Sequence, residues 1–265
     1  MPSPSLQAVV YKPAGAYATF PRRYRSDSAV DLLLISPTGA LQRYPVVKGA
    51  LQQPVTIAAN VDSYTHVVNA GDWNGDGYQD VLIRTPAEKI YLLCGTKTGQ
   101  LAAAVSMGFG ANIRSMTGIG DANGDNHPDL AVITEAGNLW LYYGDGKTGR
   151  ASRKLISRKW QDHSWLRSPG DFNRDRRPDL ISMRGDQLLL HKGIEGGFAP
   201  PVPLASGWAG ISSITSVGDV DGDRRVDVIA RSADGHLVLY KGDGHATLTR
   251  SSTLAGSFAG TRFAV

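Results

Sequence analysis

The sequence predicts an all-β fold: a single β-propeller of five four-stranded blades, closed by its C-terminal strand. Three observations predict it. Short β-branched runs bounded by glycine and proline fill the chain, and few segments show helix-length periodicity. One acidic motif recurs, as GDWNGDGYQDVLI at 71, GDANGDNHPDLAV at 120, GDFNRDRRPDLIS at 170 and GDVDGDRRVDVIA at 218, in steps of 49, 50 and 48 residues. A degraded fifth copy, RRYRSDSAVDLLL at 22, places Asp27 and Asp31 49 residues before Asp76 and Asp80. A repeat of about 40–50 residues with four short strands has the size of a propeller blade. Such a blade cannot bury both faces alone, so copies stack around an axis.

Residues 1–21 hold a strand segment, QAVVYKPAGAYATF, that matches the repeat poorly. The blades follow at about 22–60, 61–109, 110–159, 160–207 and 208–257. Each reads as strand, acidic loop, strand (DVLIRT, DLAVIT, DVIARS), turn, strand (IYLLCG, LWLYYG, LVLYKG) and a looser outer strand. A column recurs at steps of 49 residues: Tyr44, Leu93, Tyr142, His191, Tyr240. Aromatic residues 11 or 12 positions before most loops form another: Phe109, Trp160 and Trp208, with Phe258 opening what would be a sixth copy. The segment SFAGTRFAV resembles a first strand whose loop is missing, while the first copy has a loop without a conventional strand before it. Residues 258–265 therefore complete the first blade and latch the ring. A six-bladed ring with an irregular N-terminal blade is the rival arrangement.

Composition bounds the rest. The chain has 265 residues, 42% of them apolar, enough for a sizeable core. No apolar run reaches the roughly 18 residues of a membrane span. The N-terminus lacks a basic-then-apolar signal pattern, so the expectation is a cytosolic protein or the mature part of a secreted one. The single cysteine, Cys94, excludes an intramolecular disulfide and a cysteine-based zinc site.

The loop itself carries the chemistry. Counted from its first aspartate, positions 1, 3 and 5 are Asp or Asn in all four copies, and position 9 is always Asp. If the chain curls tightly, these oxygens converge on one cation and the position-7 carbonyl adds a ligand. An all-oxygen shell of carboxylates and carbonyls suits Ca²⁺ better than Mg²⁺. Curling needs positive φ, which Gly75, Gly124 and Gly222 supply at position 4, and Gly77 or Asn126 at position 6. An EF-hand is excluded. That motif needs a bidentate Glu at position 12, where this chain has Ile83, Val132, Ser182 or Ala230, and it needs flanking helices. The bland alternative is an Asx-rich turn without metal. Four copies, each gathering mutually repelling carboxylates, favour the cation.

With those motifs in place, the chain resembles the FG-GAP/VCBS repeat family, over about residues 22–265. These are propeller repeats whose D-x-[DN]-x-D-x-x-x-D loops bind Ca²⁺ in integrin α-subunits and in secreted bacterial proteins. The FG element is loose here and no GAP tripeptide occurs. The resemblance implies ligand roles for Asp72, Asn74, Asp76 and Asp80; for Asp121, Asn123, Asp125 and Asp129; for Asp171, Asn173, Asp175 and Asp179; and for Asp219, Asp221, Asp223 and Asp227. Tyr78, His127, Arg177 and Arg225 would contribute their carbonyls. Four Ca²⁺ sites are expected, with loop 171–179 the weakest. There Arg174 replaces the glycine, and Arg176 and Arg177 flank the cage. The first copy, with Arg23 and Arg25 at positions 1 and 3, is expected to bind no metal and to pair these arginines with Asp27 and Asp31.

The functional expectation is a non-catalytic binding module. Thirteen of the 24 acids lie in the four loops, so filling them leaves 11 acids against 28 Lys plus Arg. Four dications add eight charges to the formal +4, about +12, which favours an anionic partner such as an acidic glycan or cell-wall polymer. Trp160, Trp208 and Phe258 are candidates for sugar-binding pockets between blades, with inter-blade packing as the competing role. An integrin-like protein partner is the alternative function, and a propeller glycosidase or lyase a weaker one, because acids outside the loops are sparse and mostly in turns. Nucleic-acid binding is not expected, since the basic residues spread over all blades without a recognition motif. Weak open calcium loops fit extracellular concentrations, so the expected location is secreted.

Overall fold

The computed structural model describes residues 32–47, 50–96, 101–148, 152–216, 218–254, 258 and 260–264. The N-terminal segment 1–21 and the first acidic copy, with Arg23, Arg25, Asp27 and Asp31, lie outside the described residues.

The chain is a five-bladed β-propeller of antiparallel four-stranded sheets. The second blade shows the pattern, with His66–Gly71, Asp80–Arg84, Ile90–Gly95 and Leu101–Ser106 pairing in sequence order. The third blade opens with Ile113–Gly120, the fourth with His163–Gly170 and the fifth with Ile211–Thr215. In the first blade that innermost place is taken by Arg262–Phe263, which pairs antiparallel with Leu32–Ile35 through Leu34↔Phe263 and Ile35↔Arg262. The two ends of the ring are thus joined by a strand, as the truncated SFAGTRFAV repeat implies. Two short hairpins, Val46–Val47 with Ala50–Leu51 and Gly193–Ile194 with Gly197–Phe198, decorate the blades.

Polarity sorts the strands from axis to rim. The second strand of each blade is sandwiched between neighbouring blades, so it needs apolar side chains on both faces. Asp80–Arg84 and the first five residues of Asp129–Thr134 are wholly buried. The outer strands Ser152–Ser157 and Leu248–Thr253 are polar and largely exposed. Alternate residues of one strand feed opposite interfaces, following the period of two. Val81 and Ile83 face the first blade with Ile35 and Leu41, whereas Leu82 faces the third with Met116 and Leu130. In the same way Ala131 and Ile133 pack against Leu166 and Leu180, and Ile181 and Leu190 against Val228 and Ala230. Ile229 and Leu239 complete the ring against Leu32, Leu34 and Phe263. Five apolar clusters thus serve five blade interfaces, and each fully buried leucine or isoleucine contributes roughly 1.5–3 kcal/mol by burial.

The two sequence columns meet inside these interfaces. Phe109 stacks on Tyr142 at 4.8 Å, Trp160 on His191 at 4.4 Å, Trp208 on Tyr240 at 4.6 Å, and Phe258 lies edge-on to Tyr44 at 5.8 Å. Trp160, Trp208 and Phe258 are only 5%, 4% and 4% exposed. Burial makes them packing residues of the ring, and their faces are covered by protein.

Candidate metal centre

Each acidic loop joins the first and second strands of its blade, and its curl is set by backbone sign. Position 4 has positive φ in all four described loops: Gly75 (74°), Gly124 (85°), Arg174 (66°) and Gly222 (88°). So does position 6: Gly77 (91°), Asn126 (71°), Arg176 (73°) and Arg224 (66°). The left-handed requirement at position 4 is the one the sequence indicates, and it is met by arginine in the third loop. Loop 72–80 satisfies both positions with glycine. Loop 171–179 satisfies both with arginine, at a cost of about 1–2 kcal/mol per residue.

Short side chains of the loop are tied to its own amides. The position-3 side chain accepts from the position-5 N–H, as in Asn74 with Asp76 at 3.0 Å and Asp221 with Asp223 at 3.1 Å. The position-5 carboxylate accepts from the position-7 N–H of Tyr78, His127, Arg177 and Arg225 at 2.8–2.9 Å. The position-1 carboxylate accepts from the position-6 N–H, between 2.7 and 2.9 Å in all four loops. These contacts orient the position 1, 3 and 5 oxygens and hold the curl.

Position 9 behaves differently from the other three. Asp80, Asp129 and Asp179 open the second strands, Asp227 immediately precedes Val228–Ser232, and all four are 0% exposed. One oxygen accepts from the position-2 amide of Trp73, Ala122, Phe172 or Val220 at 2.8–2.9 Å. The other accepts from the amide of Gly95, Gly144, Gly193 or Gly242 at 2.8–3.1 Å, tying the loop to the end of the third strand. Those glycines are required, since a Cβ would fall 2.1–2.4 Å from the position-8 carbonyl. The recurrence of glycine at 95, 144, 193 and 242 was available in the sequence, but its meaning depends on this cross-blade contact.

Burial, opposed by the amide bonds and reinforced by neighbouring aspartates, pushes the position-9 carboxyls up to about 6 for Asp80 and Asp227 and about 7 for Asp129 and Asp179. Each loop therefore strains to carry its negative charges. In loop 72–80, Asp72 Oδ1 is buried without a hydrogen-bond partner. In the last loop, oxygens of Asp219, Asp221 and Asp227 lie within 4.8 Å of one another, and Lys241 Nζ sits 2.7 Å from Asp221. An orphaned buried carboxylate oxygen, crowded hard donors and a recruited ammonium are the environment a hard cation would satisfy.

Position 2 is a further functional feature that loop chemistry alone does not reveal. Trp73 and Phe172 are 0% exposed and Val220 3%, and each joins the apolar cluster between its own blade and the next. The loop is thus anchored to the ring's packing, so whatever fixes the loop also braces a blade interface.

The FG-GAP-like repeat model matches residues 72–132 and 121–182. Each match runs from the first aspartate of one loop into the second strand of the next blade. No curated protein sequence matches the chain. Among solved structures, the chain is similar to the BP39L lectin from Burkholderia pseudomallei, with 14% identity, TM-score 0.48, and coverage of 85% of this chain and 66% of that one. It is similar to AofleA from Arthrobotrys oligospora, with 12% identity, TM-score 0.48 and coverage of 86% and 69%. A further likeness is to the Photorhabdus luminescens Tc holotoxin pore, at 15% identity, TM-score 0.45 and coverage of 97% and 13%. The chain thus spans 66% of the lectin and 13% of the toxin chain. Loop spacing, blade count and matched repeats agree: the chain is a five-bladed β-propeller that carries FG-GAP-like repeats over residues 72–182.

Proposed function

We propose that this propeller is a calcium-stabilised, non-catalytic module that binds an anionic carbohydrate or anionic cell-surface polymer outside the cell. The observation that carries the calcium reading is the buried position-9 aspartate, raised well above the usual carboxylate range while two or three more carboxylates crowd it. Asp72, Asn74, Asp76 and Asp80, with their counterparts in the other three loops, would hold the ion. Calcium would supply the positive charge that lets these groups ionise, and so fix the strand-joining loop. Lys241, reaching the last loop from Leu237–Gly242, and the arginines in loop 171–179 compete with it. Sites of this openness suit roughly 10⁻⁴–10⁻³ M calcium, which supports an extracellular setting.

The anionic partner follows from charge. With the loop acids neutralised, 28 Lys plus Arg face 11 remaining acids, and long-range steering favours a polyanion. Against catalysis stands the one Ser–His array found among the described residues. Ser182 Oγ lies 2.7 Å from His163 Nδ1 and 2.9 Å from His191 Nε2, but Ser182 is 0% exposed and both imidazoles pack against Trp160. A substrate has no path to that hydroxyl.

The test is a glycan array with acidic and neutral polymers, run in calcium and in EDTA beside a protein pull-down. Retention of acidic polymers only, lost in chelator and weakened by salt, is the expected result. Retention of neutral glycans, or capture of protein partners alone, would overturn it.

A further inference from the structure

At the end of the ring opposite the acidic loops, the first strands begin around a cavity of about 480 Å³. It is lined by residues from four blades, including Thr65 and His66, Arg114, Ser164 and Trp165, Arg167, and Arg262. The loops follow the far ends of these strands. Ile113–Gly120, at 8 residues, separates the two features by about 25 Å.

Three guanidiniums line it, and each donates to backbone carbonyls of the next blade, Arg167 also to one of its own strand. Arg114 donates to the carbonyls of Gln161 at 2.9 Å, Trp160 at 2.5 Å and His163 at 3.0 Å. Arg167 donates through Nε to Ile214 O at 2.9 Å and through Nη1 to Leu166 O at 2.7 Å. Arg262 donates to Val61 O at 3.2 Å and Asp62 O at 2.8 Å. These bonds stitch blade to blade, which is a sufficient structural reason for an arginine. They do not cancel its charge. Among the described residues no carboxylate lies within 4.0 Å of any of the three, and the lining holds a single acid, Asp162. Nη2 of Arg167 is left over from its carbonyl contacts. Burial lowers the Arg167 guanidinium to about 10, and the surrounding Arg84, Arg167 and Arg262 charges add to burial in lowering His66. Arg114 and Arg167 are half-buried and Arg262 is exposed; a partly desolvated charge without a counter-ion is costly, and an incoming anion would relieve it.

The wall also carries an aromatic in an unusual pose. Trp165 sits at a β-bulge between Ser164 and Leu166 with φ 42°, a left-handed conformation that bulky residues rarely adopt. Bulges re-aim side chains, and here the half-buried Trp165 packs on the apolar cluster between the fourth and fifth blades while also contributing to the cavity lining. Guanidinium forks match carboxylates bidentately, and an indole offers a face to a sugar ring.

The geometry points to the axial mouth as the binding site for a uronic-acid-type sugar, its carboxylate on the Arg167, Arg114 and Arg262 guanidiniums and its ring against Trp165. This deepens the proposed function and rests on it. The cavity suits one or two sugar units of a longer chain, so the polymer would be read at the face away from calcium.

The experiment is calorimetric titration of the full chain in calcium with galacturonate, galactose and inorganic sulfate, repeated on Arg167→Gln, Arg262→Gln and Arg231→Gln. Arg231 donates Nε to Phe258 O at 3.4 Å and is outside the cavity lining, so it controls for stitching alone. Galacturonate should bind, galactose should not, and sulfate should be weaker by about tenfold. Arg167→Gln and Arg262→Gln should each lose roughly tenfold or more in galacturonate affinity, and Arg231→Gln none. Wild-type protein that ignores galacturonate, binds sulfate equally well, or binds unchanged after both cavity substitutions would overturn the site. Polygalacturonate binding measured in parallel separates the outcomes. Polymer retained without galacturonate binding sinks the axial site alone, whereas polymer ignored by the folded, calcium-loaded wild type sinks the anionic-partner reading as well.

Discussion

The same first strands end in carboxylates at one face of the ring and begin beside guanidiniums at the other. At the loop face, acids are held by backbone N–H groups; at the axial mouth, arginines are held by backbone carbonyls. In both places neutral backbone groups fix the geometry, and in the last loop Lys241 and Arg225 also meet the carboxylates of Asp221 and Asp223. The difference lies in repetition. The loops recur in four of the five blades, and three of them are tied to interface clusters through Trp73, Phe172 and Val220, so they bear on the stability of the ring. The arginines occupy unequal register positions in single blades, as expected of groups that contact one ligand. The periodic feature lies within the scaffold's packing, whereas the proposed ligand site is built from aperiodic groups.

The largest effect should come from splitting one loop into its two kinds of acid. Asp129→Ala leaves the amides of Ala122 and Gly144 buried without acceptors, which should cost about 2–6 kcal/mol in urea unfolding already in EDTA, with the ion's lost contribution added in calcium. Asp125→Ala, at an exposed position, should weaken the fold only when calcium is present. Equal behaviour of the two variants in EDTA would erase the distinction between a backbone staple and an ion ligand.

The next effect concerns pH. Burial, helped by the nearby His163 and Arg184 charges, lowers His191 to about 3. Its folded pKa lies below the unfolded value near 6.5, so its contribution is complete above about pH 6.5 and is lost as the unfolded chain takes up a proton on acidification. Wild-type protein should lose about 1.4 kcal/mol per pH unit between roughly pH 6 and pH 4, relative to His191→Tyr, which places there the tyrosine that the first, third and fifth blades carry. Parallel stability curves for the two proteins would show that the imidazole is not held neutral by the fold. The smallest effect separates loop from loop. Arg174→Gly should relieve left-handed strain and add about 1 kcal/mol, along with tighter calcium binding at loop 171–179. The corresponding Gly75→Arg should cost a similar amount, and no change in either would leave the loops equivalent.

Much of the scaffold was legible in the chain because repetition exposes it. The 49-residue step of Asp76, Asp125 and their kin predicts blades, and the orphan strand at 258–265 predicts its pairing with Leu32–Ile35. The position-12 residues Ile83 and Val132 exclude a helix and enter sheets, as found. The columns at Trp160 and His191 were visible separately. That they are one stacked contact emerges only when the blade folds and brings them to 4.4 Å. The same holds for Asp80 and Gly95, 15 residues apart and joined by a single amide bond. The axial arginines left no sequence signal, because Arg114, Arg167 and Arg262 share no column and meet only when the ring closes.

The most direct test of the account is the bound-metal count together with thermal unfolding in calcium and in EDTA. Sites filled to about 100 times their dissociation constants contribute roughly 2.7 kcal/mol each, so four of them should raise the melting temperature by well over about 10 °C. The account predicts four bound calcium ions, with the one in loop 171–179 lost first on dilution, and a large drop in melting temperature on chelation. No bound calcium and coincident melting curves would contradict it.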